Sequence, residues 1–166
     1  MKLSIITVSW NVKDKLRNCL QSVFEHHNDL VIEYFVVDNN SHDGTVAMLH
    51  AEFPAVRVIA NTENKGFAYA NNQAIKEATG DFVLLLNPDM RVLPDTLPHM
   101  VKWMSRHSEV GVASCKLIDE HNHINFDALP RRFPGVLDQA AIMLKIPHLF
   151  PKVLDHYLYK SFDAEK

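Results

Sequence analysis

Cysteine is nearly absent: Cys19 and Cys115 are the only two in 166 residues. No secretory leader precedes them, so two thiols this far apart are expected as buried free cysteines and not as a disulfide. Glycine is scarce as well, with five residues. They form neither a Gly-x-Gly-x-x-Gly turn after the first apolar run nor a Gly-x-x-x-x-Gly-Lys-[Ser/Thr] loop, so neither a dinucleotide-type turn nor a P-loop is there to cradle a phosphate. No apolar run approaches the roughly 20 residues of a membrane span, and no transmembrane segment is expected in this chain. The opening run, residues 3–8, is too short for the core of a signal peptide. A cytoplasmic protein is expected, free or at the inner face of the membrane. Charge of one sign is not in excess either: the formal net charge is -3, which gives no electrostatic reason for a nucleic-acid partner.

What is present is a composition of 47% hydrophobic and 22% charged residues, that of one compact α/β domain with its own core. Short β-branched runs alternate with longer segments of helical spacing, which predicts a mostly parallel central sheet with helices on both faces. Strands are expected at 3–8, 31–37, 56–59 and 82–86, with a fifth at 110–117 and a short one at 124–126. The strand at 3–8 is apolar almost throughout, as expected when both faces are buried, and that at 82–86 is again uniformly apolar. Val12, Leu16, Leu20, Val23 and Phe24 mark one face of a helix running to about Glu25. Further helices are expected at 45–52, at 67–78 with Gly80 as its C-terminal cap, from Pro94 with Leu97, Val101 and Met104 as its stripe, and at 136–146. The domain reading is 1–120 as one α/β unit and 121–166 as the start of a second region.

In an open parallel sheet, ligands bind outside the carboxyl ends of the strands. Polar residues gather at those ends: Ser9 and Asn11 after the first strand, Asp38 after the second, Asn64 to Gly66 after the third, Asn87 and Asp89 after the fourth. Without a glycine loop, phosphate would be held through a divalent cation on Asp89, because a hard cation bridges carboxylate and diphosphate oxygens with little further help. Competing uses exist for each residue. Trp10 also suits the edge of the core, Asp38 and Asp89 also suit turns, and Lys65 also suits a solvated loop. His121-Asn122-His123 reads as a solvated turn and not a metal site, and Arg131-Arg132 as a solvated pair on a link.

Four successive blocks carry a family resemblance: Thr7-Val8-Ser9-Trp10-Asn11; Val36-Val37-Asp38-Asn39-Asn40-Ser41-x-Asp43-Gly44-Thr45; Asn64-Lys65-Gly66-Phe67-Ala68-x-Ala70-Asn71-Asn72; and Leu84-Leu85-Leu86-Asn87-Pro88-Asp89. In this order they resemble family 2 glycosyltransferases of GT-A fold, in particular bacterial rhamnosyltransferase-like members, over roughly residues 1–120 and more loosely near Pro130-Arg131-Arg132-Phe133-Pro134. The resemblance implies an inverting, metal-dependent transferase. It would move a sugar from a nucleoside-diphosphate donor to a saccharide or lipid-linked saccharide acceptor in cell-surface polysaccharide synthesis. It further implies that Trp10 stacks on the base with Thr7, Ser9 and Asn11 near it, that Asp38 accepts a hydrogen bond from base or ribose, and that Lys65 and Gly66 line the diphosphate side. Asn87 stands at the first position of the family's Asp-x-Asp motif, with Asp89 alone left to hold Mg²⁺ or Mn²⁺.

Similar proteins place the acid that activates the acceptor well downstream, in a Glu-Asp pair near a Gly-Gly-Phe-Asp-like stretch, and no such stretch precedes Lys166. Asp119, Glu120 and Asp127 are the only acids available to nominate. A fragment of a longer chain, binding donor but transferring sugar poorly, is the expectation. Two other classes compete: a noncatalytic sugar-nucleotide-binding module, and a sugar nucleotidyltransferase, which should show a Gly-rich basic loop where Ser9-Trp10-Asn11-Val12 stands.

Overall fold

The computed structural model describes residues 1–119, 121–124, 133–155 and 157. The chain divides into two compact units, Met1–Gly111 and Val112–Lys166. The first holds a four-stranded, wholly parallel sheet of order β3-β2-β1-β4, made by β1 (Lys2–Ser9), β2 (Val31–Asp38), β3 (Arg57–Ala60) and β4 (Phe82–Leu85). Four helices connect or follow them: α1 (Lys13–His26), α2 (Thr45–Glu52), α3 (Phe67–Ile75) and α4 (Thr96–Arg106).

Alternation along the strands divides the core in two. Leu3 and Ile5 of β1 with Tyr34 and Val36 of β2 point to one face, where Leu16, Leu20 and Val23 of α1, Met48 and Leu49 of α2, and Leu97 and Val101 of α4 cover them. Ile6, Phe35 and Val37 point to the other, beneath Ala70 and Ala74 of α3. Helices thus lie on both faces, as the alternating pattern predicts. Thr7, Ser9 and Asp38, at alternate positions of the same strands, project toward the α1 face.

The N-terminus of α1 has no side-chain cap of its own at Val12. Asp43 replaces it from a distance, accepting from the Lys13 N–H at 2.8 Å and also from the Thr45 N–H and hydroxyl at the start of α2. Burial opposes the Asp43 charge, yet these bonds outweigh it and hold its carboxyl below the usual range.

Several sequence expectations are corrected. Residues 110–117 form no strand; the regular pairing nearby is one antiparallel bridge between Ile118 and Ile124. β-Branched content makes a strand only where a neighbouring backbone completes the ladder. Among the described residues β4 is an edge strand paired with β1 alone, and Val83 and Leu85 are exposed, so its uniform apolarity does not report burial on both faces. α3 ends at Ile75, and Gly80 is not its cap. A Cβ at Gly80 would stand 2.5 Å from Ser4 Oγ and 2.6 Å from its N, so the residue is glycine because backbone passes against backbone there. α4 begins at Thr96, two residues after Pro94, with Asp95 at φ 61° as its N-cap. Pro98 sits in the first turn instead, where its missing N–H has no partner to lose. Cys115 is exposed, so only Cys19 is the buried thiol expected of both, and neither forms a disulfide.

In the second unit, α5 (Val136–Met143) starts at Gly135, whose N–H donates to Asp138 at 2.8 Å. It ends three residues short of 146, and short 3₁₀ turns follow at Ile146–His148 and Pro151–Leu154. No helix among the described residues is long and apolar enough to cross a membrane. Glu120, Asp127, Arg131, Arg132 and most of the strand expected at 124–126 lie outside the described residues.

Candidate functional site

The loops after the four strands meet along one sheet edge because their backbones continue the ladder. Ser9 faces Asp38 and Asp38 faces Ala60 in the strand register. The Asn39 N–H donates to Ser9 O at 2.8 Å, the Asn61 N–H to Asp38 O at 2.8 Å, and the Leu86 N–H to Ile6 O at 2.9 Å. Side chains complete the stitching. Asn39, 2% exposed, accepts from Asn61 Nδ2 at 2.9 Å and donates to Gly66 O at 3.4 Å. Asn61 and Gln73 exchange amide hydrogen bonds, both at 2.9 Å.

At the first tip Trp10 is 56% exposed, its indole free to take a flat partner. Asn11 has φ 54°, a left-handed turn that asparagine tolerates. Its N–H donates to Ser41 Oγ and its Oδ1 accepts from the His42 N–H, so it clamps the first tip to the second. Asp38 is 2% exposed; one carboxylate oxygen accepts from the Ser41 N–H at 2.9 Å. Its other oxygen, Oδ1, is buried without a hydrogen-bond partner, as is the hydroxyl of Ser9. Two orphaned polar atoms on adjacent strands beside an exposed indole are costly in a fold at rest and fit a ligand that supplies the missing bonds.

Thr7 is buried, like Ser9 and Asp38, and its hydroxyl shares a 2.9 Å hydrogen bond with the Tyr34 hydroxyl.

At the third loop, Gly66 has φ 83° and ψ 167°, a conformation open essentially to glycine alone. Its N–H donates to Asn64 Oδ1 at 2.9 Å, and the residue opens α3. Lys65 is exposed, 3.4 Å from Glu63 and 5.1 Å above the Tyr69 ring. A cation so lightly held stays available to an anion.

Asn87 and Asp89 are both exposed. Asp89 makes no hydrogen bond or ion pair among the described residues, so both its oxygens are open to a cation. The described residues contain no cluster of three or more His, Cys, Asp or Glu able to cage a metal. That donor set suits a Mg²⁺- or Mn²⁺-type ion held by one carboxylate and completed by phosphate oxygens and water.

Beneath Asn87 lies Cys19 of α1. Its thiol meets the Tyr34 hydroxyl at 3.7 Å and donates to Asn87 O at 3.6 Å. Burial pushes the thiol up to about 11; the bond to Tyr34 works the other way, and the Asp89 carboxylate adds to the rise. Burial likewise keeps Tyr34 well above its ordinary value. Cys19 of α1 thus joins Tyr34 of β2 to the acid loop. Of the nominated acids, Asp119 is used in its own turn, accepting from the His121 and His123 N–H groups.

Sequence reasoning missed Asn39, Asn61, Gln73, Tyr34 and Cys19. Tyr34 left a signal, as the one polar-tipped aromatic in β2. The Asn61–Gln73 pair left none, because it depends on how α3 packs.

Comparison with known proteins bears on this geometry. Residues 4–153 match the model of "Glycosyl transferase family 2". An uncharacterized glycosyltransferase of Bacillus subtilis, YfnE, is 35% identical over 120 residues, 70% of this chain and 30% of that protein. Among solved structures, S. aureus TarS 1–349 superposes with a TM-score of 0.58 at 26% identity, covering 65% of this chain and 33% of its own. The mannosyltransferase PcManGT from Pyrobaculum calidifontis, in complex with GDP-Man and Mn²⁺, gives 0.55 at 27%, covering 69% and 33%. The chain therefore spans about a third of the length of these relatives. The sheet and its helices are of the GT-A type, and the chain belongs to glycosyl transferase family 2.

Proposed function

We propose that residues 1–120 bind a nucleoside-diphosphate sugar through the tips of β1 to β4, and that 121–166 begin the acceptor side. Trp10 carries the base, with Ser9 and Asp38 supplying polar contacts, Lys65 and Gly66 lining the diphosphate, and Asn87 reaching the ribose. Asp89 would hold Mg²⁺ or Mn²⁺. The observation that carries this reading is the pair of buried, unpartnered oxygens on Ser9 and Asp38 beside the exposed Trp10. A carboxylate oxygen is an acceptor only, which suits an imide or guanine N–H and disfavours a ring nitrogen that is itself an acceptor. The complex of PcManGT with GDP-Man and Mn²⁺ supports a donor of this class and a divalent cation.

The reaction is inverting transfer. An acceptor hydroxyl attacks the anomeric carbon from the side opposite the diphosphate, its proton passes to a base, and the carbon–oxygen bond to the diphosphate breaks. A cation held on Asp89 would stabilise the charge of the departing diphosphate. This chain's residues hold and orient the donor; the base is not among those the site brings together. The setting is cell-surface polysaccharide synthesis, at the cytoplasmic face of the membrane, with rhamnose from a thymidine diphosphate donor the sugar suggested by the motif resemblance. A sugar-nucleotide-binding module without catalysis is the second reading, favoured by Asp119 being spent in its turn.

Calorimetry with uridine, thymidine, guanosine and cytidine diphosphates, with and without Mn²⁺, tests it. Metal-enhanced binding of at least one of the first three, with cytidine diphosphate weaker, is expected. Binding indifferent to metal would remove the transferase reading and leave the module.

A further inference from the structure

The loop that carries Asp89 follows an edge strand. Among the described residues β4 pairs with β1 alone, and the last ladder contact before the loop is the Leu86 N–H to Ile6 O. Helix α1 holds this loop at both ends. Cys19 donates to the Asn87 carbonyl at 3.6 Å. Three residues on, Ser22 accepts from the Val92 N–H at 2.9 Å and donates to the Cys19 carbonyl at 2.7 Å. Spacing of three places both side chains on one helix face. Ser22 is 3% exposed and Cys19 fully buried, and both Ser22 bonds are closed to water. Between the two grips the chain turns, with the Met90 N–H donating to Asn87 O at 3.2 Å.

The first grip continues into the sheet. Cys19 meets the Tyr34 hydroxyl, which in turn meets Thr7. Thr7 lies two residues before Ser9, and Asn87 two before Asp89. A buried chain of polar groups therefore runs from the base of the nucleotide tip to the base of the acid loop. Thr7, Tyr34, Cys19 and Ser22 are all buried, and keeping a thiol, a phenol and two hydroxyls dry is costly unless they are bonded to one another.

We propose that Ser22 and Tyr34 are positioning residues, which act through the Asn87–Val92 loop to hold the Asp89 carboxylate at a fixed place relative to the nucleotide tip. The inference rests on the donor-site reading above. A site of this kind needs its groups preset, because an acid free to wander must be reordered at each binding event.

The test uses the whole chain and three variants: Ser22→Ala, which leaves the Val92 N–H without its acceptor; Ser22→Thr, which keeps the hydroxyl; and Tyr34→Phe, which keeps the ring. Uridine diphosphate affinity is measured by calorimetry with and without Mn²⁺, and amide hydrogen exchange is followed over 87–92. Ser22→Ala and Tyr34→Phe are expected to lower the metal-dependent affinity about three- to tenfold, roughly 0.7–1.4 kcal/mol. Metal-free affinity should stay within about twofold, and Ser22→Ala should speed exchange at 87–92 while Ser22→Thr restores both readouts. Glu33→Gln, at the opposite end of the sheet, serves as a destabilised control and should leave the metal dependence unchanged. Equal losses with and without metal, or slow exchange over 87–92 in Ser22→Ala, would overturn the proposal. Metal-indifferent binding by the unaltered protein would instead overturn the site reading itself, and this inference with it.

Discussion

Ser9 and Asp38 face each other across the β1–β2 pairing, and each buries a side-chain oxygen that has no hydrogen-bond partner. Such a pair lowers stability where it stands and gains a role when a ligand fills it. Asp38→Ala removes one orphaned oxygen together with one bond, that to the Ser41 N–H. It is expected to weaken uridine diphosphate binding about tenfold or more, yet to change unfolding free energy by no more than about 1 kcal/mol. Trp10 fluorescence titration and urea unfolding read the two quantities. A large stability loss with unaltered binding would make Asp38 a turn residue only.

The third loop gives a prediction about backbone alone. A Cβ added at Gly66 meets nothing within 4 Å, yet its φ is 83°. Any cost of Gly66→Ala is therefore conformational and not steric, on the order of 1–3 kcal/mol. Because α3 opens at this residue and Asn39 donates to its carbonyl, the variant should also loosen the second tip. A urea midpoint unchanged from the parent would contradict the assigned backbone.

How far the sequence could be read follows from what each element depends on. β1, β2 and α1 were legible because their apolar periods are set by burial within unit 1, and the site loops were legible because turn formers stop those strands sharply. The strand expected at 110–117 failed for the opposite reason. Its apolar residues are real, but a strand needs a neighbouring backbone, which no local pattern specifies. The bond between Thr7 and Tyr34 was equally illegible, because it joins residues 27 positions apart on neighbouring strands. The grip of α1 on the acid loop joins residues 68 and 70 positions apart, and nothing local encodes it.

The end of the sheet away from the site carries a charge whose pH dependence can be worked out. Glu33 receives hydrogen bonds from Ser4 at 2.5 Å and from Thr79 N at 2.6 Å, and an ion pair from Lys2 at 2.7 Å. Burial opposes its charge, but these partners prevail and lower the carboxyl to about 2, below its ordinary 4.5. The folded value is the depressed one, so the stabilisation is complete above about 4.5 and is lost as the pH falls toward 2. Glu33→Gln is expected to cost about 1–3 kcal/mol near neutral pH. It should also flatten the decline in stability on acidification. Urea unfolding across that pH window decides it; parallel curves for the two proteins would place the acid sensitivity elsewhere.

Asp89 offers the sharpest separation of binding from folding. It is exposed and has no hydrogen bond or ion pair among the described residues, so Asp89→Asn should leave unfolding free energy within about 0.5 kcal/mol of the parent. An amide oxygen carries no net charge and is a poor ligand for a hard divalent cation. The Mn²⁺-dependent part of uridine diphosphate binding should therefore fall about tenfold or more, while metal-free binding, which depends on Trp10, Ser9 and Asp38, stays nearly unchanged. Asp89→Glu, which keeps the charge on a longer arm, should recover part of the loss. If the asparagine variant retained the full metal enhancement, the cation would have to be held by other groups, and the arrangement of the acid loop over Cys19 and Ser22 would have no bearing on the chemistry at the strand tips.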